Sequence, residues 1–452
     1  MEVCSMYQLD PPSVYVNRVV LDRPERRRRF ERVMQALGRA PTDAVAYADD
    51  QLPDLIESND WRGIRRRMGT LGEVRDPVLL FNAFRFDGGR GDAVRRFDER
   101  SPGFHPLLKL ALLGYGFADW FPAGLPEDPA RHDKVCRPCW RLHFQQGCVH
   151  RCAYCGEGGL LVTMTNPEEY IDALRELIPA HPWQETYLFE DDADVLCLEP
   201  ELDALGPIIE YFGTLPDRYL IIHTKSANVD WMLDLRHNGK TIVVWSLTSG
   251  TVSRRIEPRT ATTEERIEAA RKLQEAGYTV RYKCKPIIPV QGWQEEAADM
   301  IERLFAATSP DVISLFCFAW STVDDMKACL DVGLLDPRFV RAAEESIEEV
   351  RDTMSKPFPE WARAEVYTHY LREIRKWSED VPVSLSTETW AMWKRFEGAL
   401  GATARNYVCG CGPQSVPGRR LLDVDPFSVA VRCRVNVGDD GEGWYGEQDA
   451  AD

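Results

Sequence analysis

A chain of 452 residues exceeds the roughly 250 to 300 at which a single hydrophobic core stops growing, so a central domain with additions at both ends is expected. A formal charge of −17 excludes a protein that simply coats nucleic acid, whose phosphates would repel it, although a local basic groove stays open. The start MEVCSMYQLDPPSV lacks a signal-peptide pattern and no apolar run nears the ~20 residues that span a bilayer, so a cytoplasmic, membrane-free protein is expected, its thirteen cysteines reading as metal ligands or buried thiols.

Residues 1–135 read as an accessory region, with Pro/Gly-rich connections and one basic segment, RPERRRRFERV, taken as a solvated helix in preference to a nucleic-acid contact. From Arg141 onward β-branched runs alternate with amphipathic ones. RLHF, ETYLFE, YLIIHTK, TIVVWSL, TVRYKCKPI and VISLFCFAW predict six buried strands. EEYIDALRELI, LDALGPIIEYF, VDWMLDLRHNG, EERIEAARKLQEAG and EEAADMIERLF predict the helices between them, with Thr263 as an N-cap and Gly277 as a C-cap. Six β/α units in succession imply an α/β fold with a parallel sheet, a partial (β/α)6 TIM-like barrel over residues 136–330 with its active site at the strand C-termini. Residues 331–452 read as a helical region, then VCGCGPQSVPG, then an acidic glycine-rich tail expected to be disordered.

Directly after the first strand stands QGCVHRCAYCGEGG, in which Cys148, Cys152 and Cys155 form a C-x3-C-x2-C array. Thiolates are soft ligands suited to iron–sulfur clusters or zinc. Three of them leave one iron of a four-iron cluster open to a small molecule, whereas a structural site is closed by four protein ligands. His150, inside the loop, is a candidate fourth ligand, and a zinc knuckle or plain thiols is the bland alternative.

On these residues the chain resembles the radical S-adenosylmethionine superfamily. FEDDADV, HTKSANVDWMLDLRHNGKT, WSLTSGTVSRRIEPRTATTEERIEAARKLQEAGY and KPIIPVQGW resemble spore photoproduct lyase text in the same order, over roughly residues 141 to 310. The resemblance implies a [4Fe–4S] cluster on Cys148, Cys152 and Cys155, with S-adenosylmethionine on its open iron and reductive cleavage to a 5′-deoxyadenosyl radical. It implies Tyr154 near the adenine, and Asp194, Lys225 and Ser246 as S-adenosylmethionine contacts. It also implies an external electron donor such as flavodoxin or ferredoxin and a modified or damaged pyrimidine substrate, in DNA or as a nucleotide.

The departures from the family are specific. Asp191 falls where spore photoproduct lyase carries its hydrogen-donor cysteine, and an Asp O–H bond is too strong for that task. Cys197, six residues on, is out of register and reads as a buried structural thiol. Gly156 replaces an aromatic residue and Lys285 a small one. Glu190, Asp191 and Asp192 suit a substrate bearing an amine or hydroxyls, or are loop and cap residues. A lyase or isomerase resembling the family without repeating its reaction is therefore expected. Radical chemistry on a non-nucleic-acid small molecule is the first alternative; a non-catalytic iron–sulfur or zinc-stapled interaction protein is the second.

Cys136 and Cys139 (CRPC) and Cys409 and Cys411 (CGC) form a second set able to close a four-thiolate site, zinc first and an auxiliary cluster second. CRPC precedes the first strand and the triad follows it, so at ~3.3 Å per residue the two sites are expected about 25 Å apart at opposite ends of the barrel.

Overall fold

The protein was examined as a computed structural model, which describes residues 9–71, 75–121 and 134–424. The expected disorder of the acidic tail falls outside these residues. The strands are, in chain order, β1 (Val14–Asn17), β2 (Val45–Tyr47), β3 (Val78–Asn82), β4 (Ala118–Phe121), β5 (Cys139–Leu142), β6 (Gln145–Gln146) and β7 (Leu160–Met164). They continue with β8 (Thr186–Phe189), β9 (Tyr219–Thr224), β10 (Thr241–Ser246), β11 (Thr279–Ile287), β12 (Ile313–Cys317) and β13 (Val383–Leu385).

An eight-stranded sheet runs β13-β12-β11-β10-β9-β8-β5-β4, parallel throughout except for β4 at its edge. All six expected strands are in it, each next to its neighbour in sequence, as right-handed β/α crossovers require. The outward faces carry the apolar core, for example Leu142, Phe189, Ile222, Trp245 and Leu315. The inward face is mixed: Leu188, Ile221, Ile242 and Val244 form a small apolar cluster of their own.

The helix expected over VDWMLDLRHNG is one 3-10 turn, Asp230–Met232. Both ends of that segment are pinned. The Asn228 amide donates to the Leu196 and Glu199 carbonyls, and Asn238 and Gly239 take left-handed backbone, which stops a helix. The helix Thr263–Glu275 starts one residue earlier than expected: Thr262 caps it, accepting from the Glu265 amide at 3.2 Å while Glu265 accepts from the Thr262 amide at 2.7 Å. Thr263 points inward and donates to the Thr248 carbonyl at 2.7 Å. The long helix expected over 338–354 breaks at Ser346.

The N-terminal region is more than an accessory layer. Its β1, β2 and β3 share a five-stranded sheet, order β2-β1-β3-β7-β6, with strands that flank the triad loop. Its basic helix, Pro24–Ala36, is solvated on one face, where Arg27 and Arg28 are exposed, but on the other Arg26 pairs with Glu169, Arg29 with Glu168 at 2.6 Å, and Arg32 with Asp203 at 3.3 Å, which staples the helix to the barrel. β13 likewise ties the described part of the C-terminal region to the barrel sheet. Among the described residues no helix is long and apolar enough to cross a membrane.

Candidate radical site

The triad loop is held from two sides. On one side it hangs on the turn after β10: the Ala153 amide donates to the Ile256 carbonyl at 2.8 Å and the Arg151 amide to that of Pro258 at 3.1 Å. On the other, the Met68 and Gly69 amides donate to the Cys155 and Ala153 carbonyls at 2.9 and 2.8 Å, and Arg67 donates to the Tyr154 carbonyl at 3.1 Å. Gly147 opens the loop at φ +95°, and a Cβ there would collide with the Leu160 carbonyl oxygen. Gly147→Ala should therefore cost roughly 2 kcal/mol or more, read as a lower urea midpoint with an unchanged slope.

Cys152 is buried, while Cys148 and Cys155 are partly so. Each thiol is pushed up, first by burial: Cys148 well above its ordinary value, Cys152 to about 12 and Cys155 to about 11. Next come neighbouring acids, Asp194 against Cys148 and Glu257 against Cys152. Free thiolates are disfavoured here, so the three sulfurs await a cationic partner. The three sulfurs do not all lie within 4.8 Å of one another, whereas among the described residues His150, Asp194 and Cys197 offer ligand atoms that do. The wider, all-sulfur set fits a cluster.

His150 is not free to be a fourth ligand. Its Nδ1 meets the Arg259 carbonyl at 2.6 Å, its Nε2 meets Asp194 at 2.9 Å, and Cys197 Sγ lies 3.6 Å from that same nitrogen. The fourth position is left to something other than this loop. Cys197, expected as a buried thiol, is buried beside His150.

The strand ends beside the triad carry the expected residues, with different duties. Asp194 is committed within the protein: its oxygens also accept from Thr224 Oγ1 at 2.9 Å and from the Lys225 amide at 2.7 Å. Burial raises its carboxyl, but His150 and these donors hold it below the usual range. Lys225 Nζ donates to Glu257 Oε1 at 2.9 Å and to the Lys285 carbonyl at 3.3 Å. Tyr154 donates its hydroxyl to the same Glu257 oxygen. Ser246, partly exposed at the end of β10, gives its carbonyl to Arg266 at 2.7 Å. Glu257 is a site residue that no motif in the sequence marks. The available signal was a lone acid between an isoleucine and a proline at the end of an irregular turn, Val252–Ile256.

At the barrel mouth the acids divide. Glu190, fully buried at φ +61°, accepts from the Phe144 and Gln145 amides and meets His143 Nδ1 at 3.3 Å, so it anchors the chain and faces no substrate. Asp191 is held by Arg141 at 2.6 Å, and Arg141 also grips Asp119. Burial would raise the Asp191 carboxyl, but Arg141 and then His143 keep it low. Asp192 is raised by burial and by Asp191, and Glu157 is pushed up to about 7 by burial and Asp192 against the pull of Arg65. Lys285 lies over the rings of Phe316 and Trp320 at 4.8 and 4.7 Å, and burial lowers it to about 8. Gly156 stands against the Arg65 backbone, 3.7 Å from where a Cβ would lie.

A family model described as spore photoproduct lyase matches residues 138–350. Spore photoproduct lyase of Bacillus subtilis (strain 168) is 32% identical over 181 residues, 38% of this chain and 53% of that protein. That of Geobacillus sp. (strain Y412MC61) is 28% identical over 176 residues, 36% and 50% of the two. The chain spans about half the length of the curated relatives it matches. A solved structure of a spore photoproduct lyase double mutant with bound AdoMet and dinucleoside spore photoproduct superposes with a TM-score of 0.55 at 16% identity, covering 85% of this chain and 100% of that one. A second, of spore photoproduct lyase complexed with dinucleoside spore photoproduct, gives the same values. At that identity the likeness is one of fold, and it reaches beyond residues 141 to 310, where the sequence likeness was legible. The chain is thus similar to spore photoproduct lyase in sequence over residues 138–350 and in fold over most of its length.

Proposed function

We propose that this protein is a radical S-adenosylmethionine enzyme acting on a modified or damaged pyrimidine in a nucleic acid or nucleotide, by bond cleavage or rearrangement. The observation that carries the reading is the three-thiol loop clamped against the Tyr154–Glu257–Lys225 chain at the strand C-termini, where barrel active sites form. When bound, the cluster and S-adenosylmethionine supply a 5′-deoxyadenosyl radical that takes hydrogen from a substrate, given an electron from a donor such as flavodoxin or ferredoxin. The chain supplies the rest. Cys148, Cys152 and Cys155 hold the cluster, and His150, already committed, leaves its fourth position open. Lys225 and Ser246 line the adjoining strand ends, Tyr154 sits beside the loop, and Asp194 fixes the Lys225 backbone.

Asp191 in place of a donor thiol supports a product that differs from the family's, because its hydroxyl, even when protonated, does not release a hydrogen atom. Its carboxylate, kept charged by Arg141, instead suits a substrate amine or hydroxyl. The acids Glu157, Asp191 and Asp192 together favour a second reading, a small amine-bearing substrate outside nucleic acid.

Anaerobic, reduced protein with a reconstituted cluster tests both. Formation of 5′-deoxyadenosine from S-adenosylmethionine is expected, stimulated by oligonucleotides carrying damaged pyrimidines and little changed by Cys197→Ala. Stimulation by small amines but by no nucleic acid supports the second reading against the first. A fully loaded protein that makes no 5′-deoxyadenosine sinks both.

A further inference from the structure

The second cysteine set is expected at the opposite end of the barrel from the triad, and the contacts of its CGC turn are with the starts of the strands. The segment after Tyr407 runs under the N-terminal ends of the strands and turns up into the lumen. The Glu185 and Thr186 amides donate to the Pro413 carbonyl at 2.8 and 3.0 Å, and the Thr186 hydroxyl donates to that of Gly412. Arg281, fully buried, donates to the Ser415 carbonyl at 2.6 Å and to that of Gly410 at 3.4 Å. Gly410 takes a hydrogen bond from its amide to Ser314 Oγ at 3.1 Å, and a side chain there would press on that oxygen and on Val244. Glycine between the two cysteines lets the turn enter. Cys411 then packs against the inward-facing apolar cluster of Leu188, Ile221, Ile242 and Val244.

This brings CGC onto CRPC. A Cβ on Gly412 would lie 2.8 Å from Cys409 Sγ and 3.6 Å from Cγ of Arg137, inside CRPC, and Arg137 donates to the Tyr407 carbonyl at 3.2 Å; the charge on Cys136 would accordingly be felt by Cys139 and Cys409, and that on Cys411 by Cys136, Cys139 and Cys409. Two further side chains point to an anionic occupant. Lys283 is buried, and its ammonium donates to Cys411 Sγ at 3.4 Å, an interaction that repays burial of a cation only if the sulfur side carries negative charge. His223 abuts Cys411, yet its Nε2 is buried with no hydrogen-bond partner.

We propose that Cys136, Cys139, Cys409 and Cys411 hold a second [4Fe–4S] cluster inside the barrel lumen, closed by four protein thiolates. The donor set is all sulfur, as such clusters require. Zinc is the poorer fit: at Zn–S of ~2.3 Å a tetrahedral ion draws its sulfurs to ~3.8 Å apart, and no three of these four lie within 4.8 Å of one another. The same openness marks the Cys148 triad. Four thiolates around a doubly positive cluster leave a net charge of about −2, which Lys283 and Arg281 offset.

The proposal does not rest on the radical reading, and iron counting separates the two sites. After anaerobic reconstitution with iron and sulfide, wild type should hold ~8 iron and ~8 sulfide per chain, and the Cys148→Ala/Cys152→Ala/Cys155→Ala variant ~4 of each, with a Mössbauer spectrum typical of a four-thiolate cubane. Adding Cys411→Ser should remove that residue of iron. Loss of the wild-type iron above ~4 on Cys411→Ser alone gives the same answer should the triple variant not fold. About one zinc per chain in place of iron, or no metal beyond the triad's, would overturn the proposal.

Discussion

Replacing any one of Cys148, Cys152 or Cys155 by alanine is expected to drop 5′-deoxyadenosine formation to background. Each sulfur is one of three ligands on a loop whose remaining donors are spoken for. His150 is bound to Arg259, Asp194 and Cys197, and no other cysteine of the described residues is on this loop. A two-thiol remnant binds a cluster weakly and leaves more than one iron exposed, so both cluster content and reactivity fall. The measurement is S-adenosylmethionine cleavage under dithionite, read beside iron content and far-UV circular dichroism. Loss of cleavage with intact secondary structure is the expected result; wild-type cleavage by any of the three variants removes the loop from the ligand set.

Glu257→Ala should be the most destabilising single change near the site. The carboxylate is fully buried and accepts from Arg266 at 2.7 Å, Thr248 Oγ1 at 2.8 Å, Lys225 Nζ at 2.9 Å and the Tyr154 hydroxyl. Arg266 is itself fully buried, so removing the acid strands a buried cation, a loss of about 3 to 5 kcal/mol. Burial alone would raise this carboxyl, but Lys225 and Arg266 outweigh it and bring it down to about 2 from 4.5. A folded-state value below the unfolded one stabilises above pH ~4.5, and that stability fades as pH falls towards ~2, on the order of 3 kcal/mol in all. Wild type and variant should thus differ strongly in urea midpoint at pH 7 and converge near pH 2 to 3. Glu257→Gln, which keeps the shape and one acceptor oxygen but puts a donor NH2 where the other oxygen accepts, should fall between them. It should also cost S-adenosylmethionine cleavage, since Lys225 and Tyr154 lose their common anchor. An unchanged midpoint at pH 7 in Glu257→Ala would refute this account of the hub.

Asp191, expected from the resemblance to stand where the family has a thiol, is an acid tied to Arg141, which is in turn tied to Asp119 on the antiparallel edge strand. That arrangement binds polar groups and has no hydrogen atom to give.

What could be read from the sequence was local. The alternation of β-branched strands with amphipathic helices follows from which face each residue must bury, so all six barrel strands stood out, and so did the C-x3-C-x2-C loop, whose ligands lie within eight residues of one another. The strand-end positions of Lys225 and Ser246 followed from the same register. What the tertiary structure alone decided was every partnership between distant segments. The arginines of Pro24–Ala36 looked solvated because their acids, Glu168, Glu169 and Asp203, come from the far side of the first crossover. Glu190 looked like a substrate ligand until its backbone partners at 144 and 145 closed around it. Asp194 and Glu257 became hubs only where three loops meet. CGC reached the lumen only because Arg281 and a side-chain-free Gly410 receive it. Burial of an ionised or sulfur-bearing side chain is settled by what packs on it, and those neighbours, tens to hundreds of residues away, leave no periodic trace in the text of either segment.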